Sequence, residues 1–367
     1  MKRIRKGAAV FVMALLVMTA GCGGRETLTA GKTAEPGAEE LQGKTRNKTA
    51  SENHEKTGAE AGQEDALSVG ICIYRFDDEF MTLYREELKN YLISSYKIPE
   101  ENIKILDGKG DQAEQTEQIE KLIEDGVDVL LLNLVEPSQA QSITDRCSEA
   151  GIPAVFINRE PEEEELARWE HQGIAASYVG ADARLSGTYQ GEIILDTPDK
   201  GDLNGDGVVS YVMLMGDPEN IDARHRSEYS IKALEDAGMK TESLSMERGD
   251  WEEEKGRSLT EKALSKFGRR IEVIFCNNDA MANGARTALL EAGRVVGKDV
   301  YLVGVDALEE TVGYIKEGTV TGTVLNDHVG QSHTAADVAV KMASGEKVQK
   351  KYTVDYIKIA MKKPAGR

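Results

Sequence analysis

The sequence predicts an α/β protein built as two doubly wound lobes, and three observations carry that expectation. Short runs rich in Val, Ile and Leu alternate with amphipathic stretches from residue 67 onward. The runs are almost continuously apolar, as parallel strands covered on both faces are. The alternating region covers about 300 residues, more than one ordinary core accommodates.

The chain opens on a cationic stretch with Lys2, Arg3, Arg5 and Lys6, followed by an apolar run over 8–20 and then Gly21-Cys22. A charged start, a short apolar segment and small residues before a cleavage point make an export signal. The apolar run is shorter than the about 20 residues a membrane-spanning helix needs. Thr19, Ala20 and Gly21 ahead of Cys22 read as lipoprotein processing, with Cys22 left as an acylated N-terminus. A plain secretory signal with an incidental cysteine is the alternative. Residues 1–22 are thus expected to be a signal peptide. Residues 23–66, polar and without apolar periodicity, are expected to be a disordered tether with a reach of about 35–40 Å.

Strands are expected at 69–74, 103–106, 127–134, 154–157, 176–179, 208–215, 272–276, 300–305 and 320–325. Each is short, apolar and closed by polar residues. Helical patterns fill the gaps at 80–91, 112–123, 139–150, 185–194, 228–237, 253–265, 280–292, 308–316 and 331–343. Strands joined by helices imply a parallel sheet in each lobe.

A formal net charge of −19 argues against nucleic acid or an anionic membrane face as partner. Of four cysteines, Cys72 and Cys276 lie in strand-like runs and Cys147 in a helical pattern. They lack metal-ligand spacing and read as buried apolar residues. The histidines His54, His171, His225, His328 and His333 show no metal spacing either.

In doubly wound sheets ligands bind beyond the carboxyl ends of the strands. At those ends stand Tyr74, Asp77, Asp78 and Phe80, then Asn158, then Asn277, Asn278 and Asp279, then Asp306, then Asn326 and Asp327. Asp and Asn offer the planar double hydrogen bonds that adjacent hydroxyls require, and aromatic faces stack on the C–H faces of a pyranose. Aromatic residues make up only 5% of the chain, so Phe80 and Trp251 beside these polar ends are candidates for that role. Taken singly, the acidic residues have a second reading as helix caps, Asp279 and Asp306 in particular. Paired carboxylates also serve glycoside hydrolysis. The run Glu162–Glu165 reads instead as a solvated charged face, and no Ser–His–Asp or Cys–His arrangement is present.

The sharpest local motif is Asp202-Leu203-Asn204-Gly205-Asp206-Gly207-Val208-Val209-Ser210. It matches the first half of a calcium loop: side-chain oxygens at positions 1, 3 and 5, glycine at 6, a carbonyl at 7 and Ser210 at 9. Position 12 is Met213 rather than Glu, so a carboxylate must come from elsewhere. An Asp/Asn/Gly-rich turn is the alternative.

The ordered matches Ile73-Tyr74-Arg75-Phe76-Asp77-Asp78-Glu79-Phe80, Asn133-Leu134-Val135-Glu136-Pro137, Phe156-Ile157-Asn158-Arg159-Glu160-Pro161, Asn277-Asn278-Asp279-Ala280-Met281, Gly304-Val305-Asp306-Ala307-Leu308 and Gly322-Thr323-Val324-Leu325-Asn326-Asp327, with the 202–210 loop, carry a family likeness. The chain resembles the periplasmic galactose/glucose-binding proteins of the lactose-repressor-like superfamily over about residues 68–361. The resemblance implies two Rossmann-like lobes joined by a three-stranded hinge, the type I periplasmic binding protein fold. It places one lobe at 67–179 plus 327–358 and the other at 180–326 plus 359–367, with crossings near 179–182, 326–328 and 358–360. It implies D-galactose or D-glucose held between Phe80 and Trp251. Asp78, Asn158, Asp222, Arg226, Asn278, Asp306 and Asn326 would bond the hydroxyls, with Tyr74 at the rim. Asn220 stands where the family has a sugar-contacting histidine. The resemblance also implies Ca²⁺ bound by Asp202, Asn204, Asp206, the Val208 carbonyl, Ser210 in place of the family's Gln, and Glu272. It implies a monomeric binding protein, not an enzyme; with the signal segment, the protein is expected outside the cell, anchored to the membrane by lipidated Cys22. Its partners are then the membrane subunits of an ABC transporter, or a chemoreceptor or histidine kinase if the protein is a sensor.

Overall fold

A computed structural model of the chain describes residues 66–361. The expected signal peptide, the Cys22 lipidation site and nearly all of the tether lie outside the described residues. Among the described residues no helix is long and apolar enough to cross a membrane.

The first lobe opens with β1 (Val69–Ile73), α1 (Glu79–Tyr96), β2 (Ile103–Asp107), α2 (Gln112–Glu124), β3 (Val129–Leu132) and α3 (Ala140–Ala150). It continues through β4 (Ala154–Ile157), α4 (Glu163–Gln172) and β5 (Ala176–Gly180). The second lobe contains α5 (Ala183–Leu195), β6 (Val208–Met215), α6 (Ile221–Asp236), β7 (Lys240–Arg248) and α7 (Glu253–Phe267). It is continued by β8 (Val273–Cys276), α8 (Asp279–Glu291), β9 (Tyr301–Val303), α9 (Glu309–Glu317) and β10 (Gly322–Leu325). The chain then returns to the first lobe for α10 (His328–Ala343) and β11 (Lys351–Thr353), and the last described strand, β12 (Ile357–Ala360), lies in the second.

One sheet has the order β11-β5-β4-β3-β1-β2 and the other β12-β10-β9-β8-β6-β7. All pairings are parallel except β10 with β12. The inner strands of each sheet are buried on both faces, which is why they read as unbroken apolar runs. In the first lobe Ile71, Ile73 and Val155 face α1 and α10, while Cys72, Leu130 and Phe156 face the opposite core with Trp169 of α4. The order reverses beside β1 in one sheet and beside β6 in the other, and the strand ends at these reversals face the same cleft.

Several elements depart from the sequence expectation. β7 was hidden because it is an edge strand with mostly polar, exposed residues. The Glu162–Glu165 run is not wholly solvated: it starts α4, and buried Glu165 accepts from Trp169 Nε1 at 2.6 Å. The three crossings fall at 181–182, 326–327 and 354–356. The third lies earlier than expected, because residues from Ile357 on pair antiparallel with β10, whereas Lys351–Thr353 pairs with β5. Residues 357 and 358 therefore belong to the second lobe.

Candidate functional site

The cleft is assembled from strand ends and the helix N-termini that follow them. Asp78 caps α1 through Oδ1, which accepts from Met81 N–H at 2.7 Å, while Oδ2 accepts from the Tyr74 hydroxyl at 2.6 Å. It is therefore both a cap and a cleft residue. Asn158, beyond β4, has a left-handed φ of 61°. Its Oδ1 accepts from Asn133 Nδ2 and its carbonyl from the Tyr178 hydroxyl. The Arg159 guanidinium lies 3.7 Å from the centre of the Tyr74 ring and donates to the Val135 carbonyl at 2.7 Å.

The second lobe supplies the remainder. Asn220 caps α6, accepting from Asp222 N–H at 2.9 Å. Arg226, two turns into that helix, donates to the Asn277 carbonyl at 2.7 Å and stands 4.0 Å from Asp306. Asn278 caps α8 and also holds the Trp251 carbonyl at 3.0 Å. Asp306, with φ 120°, accepts from Asn326 Nδ2 at 3.2 Å. Trp251 has φ 69°, and a Cβ built at Gly216 would meet its ring at 2.1 Å, so only glycine leaves that ring its seat. Three cleft residues thus sit in backbone conformations that functional sites retain at a cost in strain.

Tyr74, Asp78, Phe80, Asn158, Asn220, Asp222, Arg226, Trp251, Asn278, Asp306 and Asn326 all line a single cavity between the lobes. Sequence reasoning missed Met81 and Arg159, which line it too. Arg159 was adjacent to Asn158 in the motif, but nothing in the sequence turns it inward. Asp279, read as a cap or ligand group, is neither: it is buried, bonded to Thr323 Oγ1 and Leu308 N–H. Asn277 is likewise structural, accepting from Gly216 N–H.

The electrostatics suit a ligand rich in hydroxyls. Burial pushes Asp222 and Asp306 up to about 7, against the opposing pull of Arg226. Arg226 Nε and Trp251 Nε1 are buried and have no hydrogen-bond partner among the described residues. Such donors are costly to bury unless something accepts from them.

The 202–210 loop lies remote from this cleft. Asp202 accepts from the N–H groups of Gly205, Asp206 and Gly207, and Asp206 from that of Val208. Glu272, just before β8, is buried and reaches the loop, accepting from Asn204 and Ser210 N–H at 2.9 Å each. Burial and the Asp202 and Asp206 carboxylates raise its pKa, against those two N–H groups. The oxygen-only donor set suits a hard cation. The Ser210 hydroxyl donates to Glu242 Oε2 at 3.3 Å. Among the described residues no three His, Cys, Asp or Glu side chains form a metal cluster by themselves.

Residues 69–347 match the family model described as a periplasmic binding protein domain. The chain is 36% identical over 284 residues to the D-galactose/methyl-galactoside binding periplasmic protein of Haemophilus influenzae, covering 76% of this chain and 82% of that one. It is 26% identical over 292 residues to the ribose import binding protein of Bacillus subtilis, covering 79% and 86%. Its fold superposes with a TM-score of 0.70 on an ABC transporter solute binding protein from Bacillus halodurans with bound myo-inositol, at 26% identity, covering 82% of this chain and 96% of that one. The chain belongs to the periplasmic binding protein family, among the sugar-binding proteins of ABC transporters, and is a binding protein and not an enzyme.

Proposed function

We propose that the cleft takes a hexopyranose, D-galactose or D-glucose, and that lobe closure presents it to the membrane subunits of an importer. The observation that supports this most is the lining itself. Phe80 from one lobe and Trp251 from the other share a small cavity with carboxylates, carboxamides and two guanidiniums. Aromatic faces suit the C–H surfaces of the ring, while Asp78, Asp222 and Asp306 suit its hydroxyl donors. Arg226 Nε and Trp251 Nε1 offer donors in return. Both lobes reach the sugar only when closed, so binding selects the closed form. The likeness to the Haemophilus influenzae protein favours galactose.

Membership of the family carries an extracytoplasmic location. Anchoring through Cys22 is part of the proposal. So is Ca²⁺ held by Asp202, Asn204, Asp206, the Val208 carbonyl, Ser210 and Glu272. Bound there, the cation would offset the repulsion among three carboxylates and tie the loop to β8.

Titration calorimetry against galactose, glucose, ribose, allose and myo-inositol tests the reading. Heat with a hexopyranose supports it; heat with ribose or myo-inositol alone overturns the hexose assignment.

A further inference from the structure

The turn that carries Trp251 is strained and is gripped from the opposite lobe. Asp250 and Trp251 are consecutive non-glycine residues with φ of 50° and 69°. Their own lobe secures the turn through Lys255 on Asp250 at 2.7 Å, the neighbouring Arg248, and Asn278 on the Trp251 carbonyl. Arg75, from the loop after β1 in the first lobe, also reaches it. Its Nη2 donates to the Asp250 carbonyl at 3.3 Å and its Nη1 to Glu252 Oε1 at 3.4 Å. The two arms of one guanidinium thus hold the residues on either side of Trp251. Asp77 at 3.1 Å and the Tyr74 ring at 5.5 Å fix the guanidinium from its own side. Among the described residues the other ion pair between the lobes is Arg224 with Glu162 at 3.1 Å, and it is more open to solvent.

We infer that Arg75 is a positioning residue that couples lobe closure to the placement of Trp251 over the sugar. This rests on the sugar-binding reading of the cleft. The Arg75 contacts join the two lobes, so they exist only in the closed form. They act after encounter and therefore on release rather than capture. A planar fork suits the double grip, which a lysine ammonium cannot reproduce.

The chain has two tryptophans. Trp169 is sealed in the first lobe against Phe156, so a sugar-dependent emission change reports Trp251. Stopped-flow fluorescence with D-galactose and D-glucose gives association and release rates for wild type, Arg75→Ala, Arg75→Lys, Glu252→Gln and the Arg75→Ala/Glu252→Gln double variant. Arg75→Ala is expected to release sugar on the order of ten times faster with association unchanged. Arg75→Lys should restore part of the loss, and the double variant should fall short of the product of the single effects. Glu252→Gln leaves the first lobe untouched and serves as the test if Arg75→Ala melts early without sugar. Wild-type release rates in Arg75→Ala and Glu252→Gln would overturn the coupling alone. Absence of any sugar response in wild type would overturn the binding reading and the coupling with it.

Discussion

The Tyr356 hydroxyl, on the third crossing between lobes, accepts a hydrogen bond from Arg226 Nη2 at 3.3 Å. Both residues are buried. The hinge therefore touches the guanidinium at the centre of the cleft. Tyr356→Phe leaves one buried donor of Arg226 unpaired. Sugar affinity should fall about tenfold, read by calorimetry, with association kinetics altered along with it because the hinge itself has changed.

Trp251→Ala removes an aromatic wall of the cavity, whereas Asn220→Ala removes one polar group and a helix cap. The first should weaken binding about a hundredfold or more and the second about fivefold. Equal losses in calorimetric titration would count against a stacked sugar ring.

Gly216→Ala places a methyl group where the Trp251 ring now lies. The ring must move, so sugar affinity should drop by at least about tenfold. Far-ultraviolet circular dichroism should stay that of the wild type.

Asp222 and Asp306 are pushed up to about 7 by burial. Their folded values exceed those of the unfolded chain, so the stability they contribute is full at low pH and declines as pH rises through 7. Sugar hydroxyls donating to them favour the ionised form. Affinity should therefore weaken as pH falls from 8 to 5.5. Calorimetry near pH 6.5, in buffers of differing ionisation enthalpy, should detect protons released on binding.

Calcium should raise the melting temperature of the sugar-free protein by several degrees and a chelator should reverse the rise. Glu272→Gln should abolish the response. An equal response in that variant would place the cation elsewhere.

The parts of the fold written in the sequence are those with both faces buried. Leu130 and Leu131 point to opposite cores, so β3 reads as an apolar run. β7 and β12 are edges, and little in Lys240–Arg248 or Ile357–Ala360 distinguishes them from loop. Tyr74, Asp78, Asn158, Asn278, Asp306 and Asn326 were legible as polar residues that close apolar runs, whereas Asn220, Asp222 and Arg226, on α6 and its cap, came only with the family likeness. Arg159 was not legible, since its inward course depends on the Leu134 and Val135 carbonyls of another loop. Nor was the direction of the Ser210 hydroxyl, which Glu242 on the neighbouring strand decides.

The threefold crossing has a consequence for biosynthesis. The core that lines α1, with Tyr84 and Leu88, is closed by Ala335, Ala336 and Ala339 of α10. The sheet edge beside β5 is covered only by β11. A growing polypeptide consequently leaves the ribosome with its leading lobe unfinished until Lys351–Thr353 has been made. Neither lobe is one uninterrupted stretch of chain, so cutting it at any single position cannot yield an intact lobe as a fragment.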